Sequence, residues 1–332
     1  MKIKLKRAYA LFSGGLDSLL SVLWMKKLGY EIIPLFFESY FFSADKAEKI
    51  ASSAGLGLRV IDIGEKLLEI IKNPRYGFGK NLNPCIDCHS LMFREAGKLM
   101  EQEGVDFLIS GEVLGQRPMS QRMDAMNAVK KYSGYGDLII RPLSQKLLPD
   151  TKPIREGWIN KADMLDIQGR GRHRQIEMAE EFGLHEYSTP GGGCLLTDKG
   201  YSNRLKDLMN YNMLEKRFIQ FLRFGRHFRI NSEVKLIIGR NREELEEIFG
   251  FVEDELVLRA ANCLGPIGLV NSKRMLSDDE IKLAAEIVLS YTNKAADRDI
   301  VAFGTDNNYH SQIEVEKLPK SRVRELIIKA DK

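Results

Sequence analysis

The chain has 332 residues, 44% of them hydrophobic, with 50 Lys and Arg against 46 Asp and Glu for a net charge of +4. That length can bury a full core and suggests two, while the mildly basic balance permits a nucleic-acid partner without demanding one. The apolar run after the charged start MKIKLKR breaks at Ser13-Gly14-Gly15, and the stretch from Ile32 to Phe42 carries Glu38, so neither a signal peptide nor a membrane span is expected. Four cysteines in a chain of this size read as reduced thiols in the cytoplasm, valued for reactivity or metal binding rather than stapling.

Taken in order, Ala8–Phe12 is predicted as a strand, Asp17–Lys27 as a helix ended by Gly29, and Ile32–Phe37 as a second strand. A helix over Asp45–Ala54 and a strand over Arg59–Ile63 follow, then a helix at Leu91–Glu103 and a strand at Phe107–Ser110. Arg117–Lys130 is predicted helical and Leu138–Arg141 extended. Such alternation implies right-handed crossovers and a parallel α/β sheet, whose ligands sit beyond the carboxyl ends of the strands. Ser13-Gly14-Gly15 and Gly111-Glu112 both fall at such ends, which points to one shared cleft.

From Leu143 to Pro190 the chain is polar and basic, with GRGRHRQ at 169 to 175, a candidate contact for an RNA backbone or a solvated loop. STPGGGCLLTD, 188 to 198, reads as a flexible turn presenting Cys194. The expected division is a first domain over 1–200, a basic helical linker over 201–228, and a smaller α+β domain over 229–332. The last opens with a strand at Val234–Ile238 and a helix at Glu243–Phe249.

LFSGGLDSLL, 11 to 20, carries the first chemistry. Adjacent glycines between a strand and a helix let backbone N–H groups crowd an anion at the helix N-terminus. No lysine follows, as a GxxxxGK[ST] loop would require; instead Asp17 stands beside the nest, suited to a Mg²⁺ that bridges phosphate oxygens. Ser13 and Ser18 add hydroxyl donors.

S-G-G-L-D-S after an N-terminal strand resembles the PP-loop of the ATP pyrophosphatase superfamily, whose members split ATP between its α- and β-phosphates and adenylate a substrate oxygen. The resemblance implies that Ser13, Gly14, Gly15, Asp17 and Ser18 bind the departing pyrophosphate. SGEVLGQRPMSQ (110 to 121) and IIRPLSQK (139 to 146) are similar to the tRNA 4-thiouridine synthetase, while NPCIDCH (83 to 89) resembles the tRNA 2-thiouridylases. These similarities imply an ATP-dependent tRNA uridine thiolase that forms AMP and pyrophosphate, with C4 thiolation favoured over C2. Gly111, Arg141 and Lys146 join the expected nucleotide site, the last two to neutralise phosphate charge. The implied partners are tRNA, a sulfur donor (inorganic sulfide or a cysteine desulfurase) and a second copy of the chain, with no membrane. The sequence shows no 4-thiouridine-type RNA module before the loop and no rhodanese-like segment after it, so sulfur delivery by another route is expected.

Cys85 and Cys88, spaced C-x-x-C in an expected loop, and the distant Cys194 suit a [4Fe–4S] cluster with one iron lacking a protein ligand. Two other readings stand beside it: a nucleophilic cysteine with Cys194 as persulfide carrier, or zinc with His89 as fourth ligand. Cys263, in the apolar RAANCLG, reads as a core residue. EKRFIQFLRFGRHFR, 215 to 229, interleaves cations with phenylalanines, either to stack on RNA bases or as core rings with a solvated basic face. KLIIGRNREELEEI, 235 to 248, resembles the NFACT RNA-binding domain. A PP-loop ligase acting on a small molecule, and an RNA-binding protein with a relic loop, remain as alternatives.

Overall fold

The computed structural model describes residues 6–187, 193–305 and 308–329. By its internal packing the chain divides into two units, residues 1–194 and 195–332.

The first unit is built on β1 (Arg7–Leu11), α1 (Leu16–Lys27), β2 (Glu31–Glu38), α2 (Asp45–Ser53), β3 (Arg59–Asp62), α3 (Gly64–Lys72), α4 (Cys85–Glu103), β4 (Phe107–Ser110), α5 (Met123–Ser133), β5 (Ile139–Ile140), α6 (Lys152–Arg155) and α7 (His173–Glu181). Its five strands lie in the order β3-β2-β1-β4-β5, all parallel. Ala8 of β1 pairs with Ile32 of β2 on one side and Phe107 of β4 on the other. The winding therefore reverses between β1 and β4, the place where an open α/β sheet leaves a crevice at its strand ends. Phe12, Leu19, Val22 and Met25 join Phe107 and Ile109 in one core cluster, while Leu16 and Leu20 pack with Met178 and Ala179 of α7 in another.

The alternating pattern thus yields the expected parallel sheet, with several local corrections. The helix expected from Leu91 starts at Cys85, so Cys85 and Cys88 occupy the first turn of α4 rather than a loop. That turn is thiol and polar, so no apolar periodicity announces it; Ser90 Oγ ties back to Ile86 O at 2.8 Å. The helix expected from Arg117 starts only at Met123, because Gly115 (φ 77°) and the Gln121-to-Arg117 backbone bond at 3.0 Å hold a turn there. The strand at 138–141 shortens to Ile139–Ile140, and α3, which buries Leu67, Leu68 and Ile71, was not anticipated.

The second unit comprises α8 (Lys199–Asn210), α9 (Lys216–Ile219), β6 (Arg226–Arg229), β7 (Val234–Ile238), α10 (Arg242–Phe249), β8 (Leu256–Ala260), β9 (Gly268–Ser272), α11 (Asp278–Ser290), β10 (Arg298–Gly304), β11 (Ser311–Glu316) and α12 (Lys320–Leu326). Its six strands run β11-β10-β8-β9-β7-β6, every pair antiparallel. One face packs Ala284, Ala285 and Val288 of α11, a helix opened by a Ser277–Glu280 capping box, against Leu236 and Leu258. The other gathers Phe221, Phe224, Ile237 and Ile248.

Residues 201–228 are therefore not a linker but part of this unit. Phe218, Phe221, Phe224 and Phe228 are all buried, so their recurrence reflects core packing and their rings are not presented to bases. The cations Lys216, Arg223 and Arg226 stay exposed, whereas Arg229 is ion-paired with Asp207. Cys263 is half-buried against the α11 core, less enclosed than expected. Among the described residues no helix is long and apolar enough to cross a membrane.

Candidate functional site

β1 ends at Leu11, and Ser13, Gly14 and Gly15 turn the chain into α1. Gly14 sits at φ 72°, and a Cβ there would meet Ala47 Cα at 3.0 Å, so both conformation and space call for glycine. Gly15 is the N-cap in extended conformation. The hydroxyls tie the loop together: Ser18 Oγ donates to Gly15 O at 2.8 Å, and Ser13 N donates to Ser18 Oγ at 3.3 Å. Ser13 is exposed and Ser18 buried, and the Ser13 hydroxyl lies 3.3 Å from Ser18 Oγ and accepts from Gly15 N at 3.4 Å.

Asp17 lies in the first turn of α1. Its Oδ2 accepts from Gln116 Nε2 at 2.7 Å, while Oδ1 is buried with no hydrogen-bond partner. A lone hard oxygen beside an anion nest fits the Mg²⁺ of a bound nucleotide. Gly111, just past β4, completes the loop's floor, since a Cβ there would stand 2.5 Å from Ser18 Cα.

Glu112, the next residue, is buried and accepts from His89 Nδ1 of α4 at 2.9 Å and from Arg141 Nε at 2.8 Å. Burial alone would raise its pKa, but the Arg141 guanidinium and His89 prevail and hold it down at about 2. An ionised Glu112 only accepts, so His89 carries its proton on Nδ1. The pair links the start of α4 to the strand ends beside the loop. Arg141, expected to face phosphate, is thus engaged first with Glu112; its Nη2 is buried without a partner. Lys146 is exposed in a short turn at Gln145–Leu147.

The sequence places Cys85 and Cys88 three residues apart and Cys194 far away, yet the fold brings all three into one neighbourhood. The Cys88 thiol is pushed well up by burial, then by Cys194 and Cys85. Cys85 Sγ accepts from Asn83 Nδ2 at 3.2 Å, and Cys88 N donates to Pro84 O at 2.9 Å. Much of the glycine-rich turn expected to deliver Cys194, residues 188–192, lies outside the described residues. Among the described residues, no three His, Cys, Asp or Glu side chains are placed to share one metal ion. His89, the fourth ligand in the zinc reading, has its Nδ1 engaged with Glu112. Burial and then the Cys194 and Cys85 thiols disfavour the Cys88 thiolate, a penalty that a bound cationic iron–sulfur centre would relieve.

Gln116, Asn83 and Gln175 were not among the anticipated site residues, and Glu112 was anticipated only as part of the cleft, without a role. Glu112, Gln116 and Asn83 stand inside the quoted motifs, and Gln175 aligns with Met178 and Ala179 on the buried face of α7, a polar residue on an apolar stripe. In GRGRHRQ, Arg170 and Arg174 are exposed, Arg174 pairs with Asp166, and Gln175 turns inward from α7.

The family model described as "Thiamine biosynthesis protein (ThiI)" matches residues 5–146, and that described as "NFACT protein RNA binding domain" matches residues 225–327. The tRNA-specific 2-thiouridylase MnmA of Sulfurimonas denitrificans is 34% identical over 112 residues, covering 31% of this chain and 33% of the relative. A probable tRNA sulfurtransferase of Thermococcus kodakarensis is 29% identical over 147 residues, covering 41% and 36%. The match thus spans less than half the length of these curated relatives. A solved structure of a predicted subunit of tRNA methyltransferase from Methanocaldococcus jannaschii superposes with a TM-score of 0.35 at 19% identity, over 53% of this chain and 76% of the other. Residues 5–146 are thus similar to the ThiI family model and residues 225–327 to the NFACT RNA-binding family model, each over less than half of the chain.

Proposed function

We propose that the chain is an ATP-dependent tRNA uridine thiolase, with 4-thiouridine as its product. The observation that supports this reading is the connection of the Ser13–Ser18 loop to the first turn of α4, which carries Cys85 and Cys88. Gly111 touches the loop, its neighbour Glu112 holds His89, and His89 follows Cys88. Activation and sulfur donation can then act on one carbon.

In this reading, the N–H groups of Gly14 and Gly15 and the Ser13 hydroxyl hold the β- and γ-phosphates of ATP. The uridine carbonyl oxygen attacks the α-phosphorus, pyrophosphate leaves, and the base becomes an adenylate. Sulfide then displaces AMP, so the oxygen departs on the phosphate it acquired. Mg²⁺ bound with Asp17 would neutralise phosphate charge, and Arg141, fixed by Glu112, would present Nη2 to the same region. A [4Fe–4S] cluster held by Cys85, Cys88 and Cys194 would supply an iron free to carry hydrosulfide from inorganic sulfide or a desulfurase. The exposed cations of the NFACT-type domain suit tRNA phosphates.

The test incubates anaerobically purified, iron-reconstituted protein with ATP, sulfide and unmodified tRNA. Expected are AMP and pyrophosphate in equal amounts and 4-thiouridine among the digested nucleosides. Release of ADP and phosphate would overturn the assignment. Thiolation from sulfide by protein that binds no iron would remove the cluster from this reading, and 2-thiouridine would move the target to C2.

A further inference from the structure

The contact between Asp17 and Gln116 continues into the protein. Gln116 Oε1 accepts from Gln175 Nε2 at 3.2 Å, and Gln175, in the first turn of α7, is completely buried. The chain Gln175–Gln116–Asp17 therefore runs from the α1–α7 core to the mouth of the loop.

Its direction follows from chemistry. An ionised carboxylate accepts only, so Gln116 turns its amide nitrogen to Asp17. Its oxygen then faces inward, and only a donor can meet it. Gln175 supplies that donor and leaves its own Oε1 buried without a partner. Glutamine at 175 thus does what neither a carboxylate nor an apolar side chain does, because each lacks the N–H the chain needs. The same chain occupies one oxygen of Asp17 and leaves Oδ1 alone, buried and unpartnered. Losing the anchor lets the Gln116 amide rotate and removes the preference between the two carboxylate oxygens.

We propose that Gln175 is a positioning residue that acts through Gln116 to hold Asp17 with Oδ1 presented to the Mg²⁺ of bound ATP. This rests on reading Asp17 as part of the nucleotide site. No step of the reaction passes through Gln175; its effect is on metal-dependent binding.

The test measures ATP binding to the full-length protein by calorimetry across a Mg²⁺ series and in EDTA. Gln175→Met should raise the Mg²⁺ concentration for half-maximal binding by about tenfold, the worth of one hydrogen bond at the upper end of its range. Affinity in EDTA should stay unchanged, and turnover to AMP and pyrophosphate should recover at saturating Mg²⁺. A wild-type Mg²⁺ series, or equal loss with and without Mg²⁺, would overturn the proposal. In a Gln116→Met background the same change should add nothing, and additive effects would show that Gln175 does not act through Gln116. Should Gln175→Met fail to fold by thermal melting, Gln175→Glu carries the same test, since its ionised carboxylate cannot donate to Gln116. Asp17→Asn separates the two readings. If it keeps a wild-type Mg²⁺ series, the nucleotide-site assignment fails; if it loses that dependence while Gln175→Met does not, only the positioning role fails.

Discussion

Gly111→Ala tests whether the end of β4 and the start of α1 are held in contact for the loop's sake. A Cβ at Gly111 would lie 2.5 Å from Ser18 Cα, 2.6 Å from Ser18 N and 2.8 Å from the Asp17 carbonyl carbon. All three are backbone atoms, so no rotamer relieves the clash. Gly111 has no left-handed φ, so an alanine meets no backbone strain and the contact alone is tested. Restoring ordinary separation requires the helix start to retreat by roughly 1 Å, an overpacking worth about 1–3 kcal/mol of stability. The retreat also moves Asp17 and Ser18, and displacement of about 1 Å at a positioned site costs on the order of 100-fold in rate. Urea unfolding reads the first effect, and pyrophosphate release from ATP reads the second. Gly171→Ala is the control, since a Cβ there meets nothing within 4 Å. If Gly111→Ala matches that control in both assays, the close approach is not what shapes the loop.

Glu112→Gln leaves Arg141 buried without its countercharge and should lower unfolding free energy by about 3 kcal/mol at pH 7. Because the folded pKa of Glu112 is lowered to about 2 from 4.5, its stabilisation is complete above pH 4.5 and fades as pH falls toward 2; the variant should lose less stability over that window, and an unchanged acid profile would refute the pairing. Alanine at Cys85, Cys88 or Cys194 singly should remove bound iron and thiolation together, while Cys263→Ala keeps both; iron analysis and nucleoside digestion of the product decide. Replacing Lys216, Arg223 and Arg226 together with alanine should weaken tRNA binding and reduce the slope of log affinity against log salt by about 2–3, with an unchanged slope placing the RNA contact elsewhere.

What the sequence determined by itself is local in origin. Strand and helix periods alternate along the first 140 residues, and that alternation alone implies a parallel sheet with ligands at its carboxyl edge. Ser13-Gly14-Gly15 is legible because a paired-glycine turn between strand and helix is a short-range signal, as are the strands Phe107–Ser110 and Val234–Ile238, found at the predicted bounds. The first turn of α4 was not legible, since thiols and polar groups carry no apolar period. The site's internal wiring belongs to the tertiary structure. Glu112 meets Arg141 across 29 residues and Asp17 meets Gln116 across 99, distances over which no sequence period speaks. The phenylalanines of 218–228 pose the same problem in reverse, because a helical stripe of rings beside cations looks alike whether it faces RNA or a sheet. Only the strands packed beneath them decided for the core. That the Cys194 thiol lies close enough to raise the pKa of the Cys88 thiol is likewise a property of the fold, since the two stand far apart in the sequence.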